Sequence, residues 1–209
     1  IDESNVSFSG FKINIPQSEY GIYITSGYTK IEHNILFSTG DHCNNGGKGI
    51  YAASSNNLIN NNSLDNLKDT FMTVTGSSNT ITNNSLTDGC TSSGLYLNGD
   101  SNHVANNTVS EVHSGIDIVG DDNTIIYNKI ESYLGYNLKL SSSSNNVVAN
   151  NDLSKGNYDF SLQLYNSDDN VVKNNIISDN SYEGIIVKNS DGNTFFNNTI
   201  KIVNVWQCD

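Results

Sequence analysis

One unit recurs eight times along these 209 residues, and no other feature restricts the fold as strongly. With h for an apolar residue, it reads Gly-h-x-h, four or five polar residues, Asn-x-h-x-x-Asn-x-h, then a variable segment. A clean copy is GIDIVGDDNTIIYNKI at 115 to 130. Copies begin at Gly21, Gly49, Phe71, Gly94, Gly115, Asn137, Ser161 and Gly184, at spacings of 28, 22, 23, 21, 22, 24 and 23 residues. Within each copy the apolar residues alternate with period two and favour β-branched types, while no segment has helical periodicity.

Aligning the copies gives four apolar columns. They are Ile22, Ile50, Met72, Leu95, Ile116, Leu138, Leu162, Ile185; then Ile24, Ala52, Val74, Leu97, Ile118, Leu140, Leu164, Val187; then Ile31, Ile59, Ile81, Val104, Ile125, Val148, Val172, Phe195; and Leu36, Leu64, Leu86, Val109, Ile130, Leu153, Ile177, Ile200. No charge enters them, so they read as a packed interior. Two asparagine columns run beside them: Asn34, Asn62, Asn84, Asn107, Asn128, Asn151, Asn175, Asn198, and Asn57, Asn79, Asn102, Asn123, Asn146, Asn170, Asn193 with Thr29 in the first copy. Asparagine side chains on strands about 4.8 Å apart can donate and accept along a stack. They are also expected to supply the left-handed or bent residue of each corner. A unit of this length with short strands and corners is one coil of a parallel solenoid. The expectation is an all-β, right-handed parallel β-helix of about eight turns with stacked asparagine columns at the corners, near 40 Å long. A leucine-rich repeat also has an asparagine column, but no helical half follows here, and two asparagines five residues apart recur. Residues 1–20 read as strands leading into the solenoid, 21–202 as the solenoid, and 203–209 as a short tail with Cys208.

The repeat resembles the parallel β-helix repeat of NosD-type proteins and of carbohydrate-binding proteins and sugar hydrolases, and is similar to repeats of archaeal surface proteins. The resemblance covers about residues 20 to 202 and implies the fold; family members differ in activity.

Charge excludes one class of partner. Ten basic residues, all lysine, stand against 22 acidic ones, for a net charge of −12. With no arginine, the chain lacks the means to neutralise a run of phosphates or read guanine. No stretch approaches 18 apolar residues, so no membrane span is expected.

Catalytic signatures are incomplete, and the sequence reads as a non-enzyme with no catalytic residue. β-Helical pectate lyases use an arginine base, absent here. The Gly-His-Gly and Arg-Ile-Lys motifs of galacturonases are missing, although Asp121-Asp122 and Asp168-Asp169 are present. Asp117 has Tyr96 and Lys139 as column neighbours and no second carboxylate for acid–base work. Asp100, Asp121, Asp168 and Asp191 form a corner column, interrupted by Ser144, that reads first as Asx-type capping of the bend and second as a place for Ca²⁺. Asp41-His42-Cys43 with Cys90 and His113 suggest zinc or copper by residue type, but no spacing supports a metal site.

Three further features remain. Tyr23, Tyr51 and Tyr96 lie between core positions and form an outward interaction or glycan face. Three cysteines, Cys43, Cys90 and Cys208, leave at least one unable to pair within the chain. Sequons at Asn5, Asn61, Asn83, Asn106 and Asn197 allow N-glycosylation. The sequence reading is therefore an extracellular protein, released from a signal peptide, that assembles end to end with copies of itself into a filament, sheath or surface layer, with disulfide cross-linking as an option and no cofactor, the acidic corner column being the one candidate calcium site. Its alternatives are a carbohydrate-binding or carbohydrate-processing β-helix with a polysaccharide partner and, more weakly, NosD-like metal handling.

Overall fold

The computed structural model describes residues 1–16, 19–40, 46–155, 160–180 and 184–202. Among them there is no helix, and every strand pairing is parallel. The chain winds as a solenoid of about eight coils. One wall is a nine-stranded sheet of three-residue strands, from Ser7–Ser9 to Thr194–Phe196, stacked in sequence order around the third apolar column. The other walls form a bent twelve-stranded sheet carrying the first, second and fourth columns, with a separate pair between Ile176–Asn180 and Thr199–Ile202.

Register follows the repeat residue for residue: Ile81 pairs with Ile59 and Val104, and Leu95 with Met72 and Ile116. The columns from Ile22 to Leu162, Ile24 to Leu164, Ile31 to Val172 and Leu36 to Ile177 are buried. The eighth coil differs. Val187, Phe195 and Ile200 are exposed and line an apolar concavity of about 350 Å³, because no described coil lies over them. At the other end, Ser7–Ser9 and Lys12–Asn14 pair in register with the first full coil, setting Phe8 beside Ile31 and Ile13 beside Leu36. Those strands therefore extend the solenoid by a partial coil. The variable segment is not always a loop either: Ser85–Asn98 and Thr108–Val119 run as unbroken strands from one coil into the next.

The asparagine columns are buried ladders. In the first, each backbone N–H and side-chain Nδ2 donate to Oδ1 of the next coil's asparagine, as from Asn84 N (2.9 Å) and Nδ2 (3.0 Å) to Asn107. The second Nδ2 hydrogen goes the other way, to a core carbonyl of the preceding coil, as from Asn107 to Ile81 O at 2.9 Å. The pattern starts where Phe11 N donates to Asn34 Oδ1 and continues to Asn198. The second ladder keeps its backbone donors, but Nδ2 of Asn79 and of Asn123 is buried without a partner among the described residues.

The asparagine columns do stand at the corners, but one part of the expectation is corrected. The ladder asparagines are not the left-handed residues. That conformation belongs to the residue just before each: His33, Asn61, Asn83, Asn106, Tyr127, Asn150, Asn174 and Asn197, with φ between 54° and 58°. The second ladder is preceded likewise by Tyr28, Asn56, Ser78, Ser101, Asp122, Asn145, Asp169 and Gly192. The bend residue turns the chain outward so that the next side chain can point in. In an Asn-Asn pair the first residue supplies backbone tolerance and the second supplies the amide.

Neighbouring substitutions should therefore differ. Asn107→Ala leaves the Asn84 N–H and Nδ2 without their acceptor and removes the side-chain donor to Ile81 O and Asn128 Oδ1, and should cost about 3–5 kcal/mol in denaturant unfolding. Asn106→Gly should stay within about 0.5 kcal/mol, while the β-branched Asn106→Val should cost about 1–2 kcal/mol.

Candidate functional site

Period two sends the residue between the first two core columns outward. Through the coils that residue is Tyr23, Tyr51, Thr73, Tyr96, Asp117, Lys139, Gln163 and Ile186, each in register with the next. Identical scaffold positions thus carry an aromatic end, a charged middle and an amide.

Tyr23 and Tyr51 stack in parallel, ring centroids 4.9 Å apart at 10°. Tyr20, which the repeat did not single out, packs against both at 5.6 and 5.3 Å with its ring tilted. The interval from Tyr20 to Tyr23 is odd, which ordinarily means opposite faces of a strand. Two consecutive inward residues remove the conflict. A Cβ at Gly21 would lie 2.6 Å from the Ile15 side chain and 2.7 Å from that of Leu36, and Ile22 is buried in the core. Tyr96 does not join the stack, because Thr73 stands between it and Tyr51 in register.

The third coil is a step. Thr70 and Thr73 are short where the second coil carries Lys48 and Tyr51, and a recess of about 200 Å³ opens, lined by Tyr20, Lys48, Asp69, Thr70 and Thr73. Tyr23 stacks on the Tyr51 ring, and the short Thr73 follows Tyr51 in register on the third coil. Lys48 Nζ lies 5.0 Å from the centre of the Tyr20 ring and 3.8 Å from Asp69 Oδ2, with both charged groups partly in solvent. Aromatic surface, an ammonium, a carboxylate and two hydroxyls thus converge within one small concavity, a combination suited to a ligand with one apolar face and several hydroxyl groups.

Farther along, Asp117 Oδ2 accepts from Tyr136 OH at 3.1 Å and Lys139 Nζ at 3.5 Å, and Lys139 lies 5.3 Å from the Tyr136 ring centre. Burial raises the Asp117 carboxyl above the usual aspartate range, against the lowering effects of Lys139 and Tyr136. Its Oδ1 is buried without a partner among the described residues.

The acidic corner column proves to be a capping ladder running opposite to the asparagines. Ser77 N donates to Ser55 Oγ, Asp100 N to Ser77 Oγ, Asp121 N to Asp100 Oδ1, Ser144 N to Asp121 Oδ1, Asp168 N to Ser144 Oγ, and Asp191 N to Asp168 Oδ1. Ser144 continues the column rather than interrupting it, since a hydroxyl accepts from the next coil as a carboxylate does. Among the described residues no three His, Cys, Asp or Glu side chains group as metal ligands. His113 Nδ1 lies 3.1 Å from Ser114 Oγ. Asp41, His42, Cys43, Cys208 and the side chain of Cys90 lie outside the described residues. The sequon asparagines Asn5, Asn61, Asn83, Asn106 and Asn197 are all exposed, each with positive φ.

A raised aspartate makes a pH prediction. The folded state binds the Asp117 proton more tightly than the unfolded chain, so this residue's contribution favours folding below the ordinary aspartate value and is lost as pH rises through the folded value. Asp117→Asn should remove that component, leaving the variant less destabilised than the parent as pH rises from acid to neutral. Denaturant midpoints for both chains across that range measure it; parallel curves would refute it.

A family model described as the right-handed β-helix region matches residues 73–205. No curated protein matches the sequence. Among solved structures, full-length tailspike protein 2 of an Escherichia coli bacteriophage superposes with a TM-score of 0.69 at 11% identity, covering 97% of this chain and 34% of the tailspike. The enzymatically active domain of a bacteriophage tailspike protein 2 gives 0.55 at 12%, with coverages of 97% and 38%. The A-module of an Azotobacter vinelandii mannuronan C-5 epimerase gives 0.47 at 10%, with 97% and 81%. This chain spans about a third of the length of the tailspike chains.

Proposed function

The chain belongs to the right-handed β-helix family, and on that scaffold we propose that it binds carbohydrate at the Tyr20, Tyr23 and Tyr51 cluster and the recess beside it. The observation that carries this reading is the juxtaposition of the Tyr23–Tyr51 stack with the threonine step, where Lys48 and Asp69 supply a donor and an acceptor. A pyranose has an apolar face that stacks on an aromatic ring and a rim of hydroxyls that need both donors and acceptors. The sequence grouped Tyr96 with Tyr23 and Tyr51. In register it follows Thr73, one coil beyond the step, and it does not belong to the stack. Asp117 has no second carboxylate beside it in its column, which favours binding over glycoside hydrolysis there. The extracellular setting expected from the sequence goes with this proposal.

End-to-end assembly into a filament or sheath has weaker footing. Its cross-linking limb rests on Cys43, Cys90 and Cys208, and none of the comparisons supports a self-assembling role. NosD-like metal handling rests on the same region around Asp41, His42 and Cys43 and gains no further observation.

Titration of the chain with soluble polysaccharides by calorimetry tests the proposal. Saturable binding should fall about tenfold in Tyr51→Ala, near 1.4 kcal/mol, and less than about threefold in Tyr96→Ala. Binding indifferent to Tyr51 would refute the assignment.

A further inference from the structure

Resting on the carbohydrate reading, we infer that the recess lined by Tyr20, Lys48, Asp69, Thr70 and Thr73, beside the Tyr23–Tyr51 stack, takes an uncharged glycan and rejects uronates and other anionic sugars. Recognition of an anionic sugar by a solenoid face needs either an unpaired cation or a bound divalent metal to meet the carboxylate. The recess has one lysine, and its charge is partly offset by a neighbouring carboxylate. Lys48 lies 3.8 Å from Asp69 Oδ2 and over the Tyr20 ring. The next lysine along this face, Lys139, is held by Asp117 at 3.5 Å. No arginine exists to form a bidentate clamp. The described residues offer no cluster of three His, Cys, Asp or Glu through which a metal could bridge two anions.

The field of the whole chain acts in the same direction. At −12 it repels a polyanion approaching any face, most strongly at low ionic strength. A neutral sugar meets neither obstacle. Vicinal hydroxyls can donate to Asp69 and accept from Lys48 without breaking that pair, because both groups keep exposed atoms, 32% and 54% of their side-chain surface. Thr70 and Thr73 add hydroxyls that serve in either sense. Asp69 is thus the specificity residue: it accepts from the neutral ligand and masks the cation that an anionic one would need.

The test uses the whole chain in affinity electrophoresis and calorimetry against neutral polymers (mixed-linkage β-glucan, galactomannan, xylan) and anionic ones (polygalacturonate, alginate). Both are run at low and physiological ionic strength, with and without calcium. The expected result is binding to a neutral polymer, nearly independent of salt and about tenfold weaker in Tyr51→Ala. Asp69→Asn should weaken that binding several-fold and gain salt-sensitive retention by polygalacturonate as Lys48 is unmasked. Tyr51-dependent binding of an anionic polymer that exceeds that of every neutral one would overturn the inference and leave the carbohydrate reading standing. Failure of Asp69→Asn to gain anionic binding would overturn the masking argument. A cooperatively folded chain that binds neither class would remove the carbohydrate reading itself.

Discussion

The interior amide of the first asparagine ladder is the interaction on which the solenoid depends. A corner turns the backbone away from sheet pairing, and its N–H and the carbonyls near it would be left buried and unpaired. One asparagine per coil answers three demands together. Its oxygen takes the previous coil's backbone N–H and Nδ2, one amide hydrogen reaches the next coil, and the other returns to a core carbonyl behind it. Aspartate could not donate, serine could not span both directions, and glutamine would be too long for the space. Repetition of the residue follows from repetition of the problem.

With the interior held in this way, the outward positions are free to diverge. The same strand position carries two stacked tyrosines, a threonine, a third tyrosine, an aspartate and a lysine on six successive coils. The recess exists because two threonines follow a lysine and a tyrosine at equivalent places, so a difference in side-chain length between adjacent coils becomes a step in the wall. Binding sites on such a rod are made by substitution, with no change of backbone.

Most of the scaffold was legible in the sequence because burial tolerates so few alternatives: every column from Ile22 to Leu162 and from Leu36 to Ile177 lies where the period placed it. Three things were not legible. In Asn-Asn pairs such as Asn106-Asn107, composition does not say which member bends and which bonds; only φ separates them. Tyr20 stands three residues from Tyr23, and the inward double step at Gly21 and Ile22 that brings them together depends on contact with Ile15 and Leu36. Asp69 sits in the variable segment, and its meeting with Lys48 is a product of the stacking of the second and third coils. Local pattern reveals the columns, whereas contacts between a column and a variable segment need the three-dimensional register.

The ladder also has an electrical consequence. From Asn34 to Asn198 the side-chain amides are joined head to tail, each oxygen facing the partial coil at the start and each Nδ2 facing the next coil. An amide carries a dipole of roughly 3.5 D, and dipoles so aligned add. Sheets on their own contribute little net moment, so this row gives the rod a permanent axial moment, positive toward the eighth coil. Along the rod these amides add a directional component to the moment that the charged side chains set.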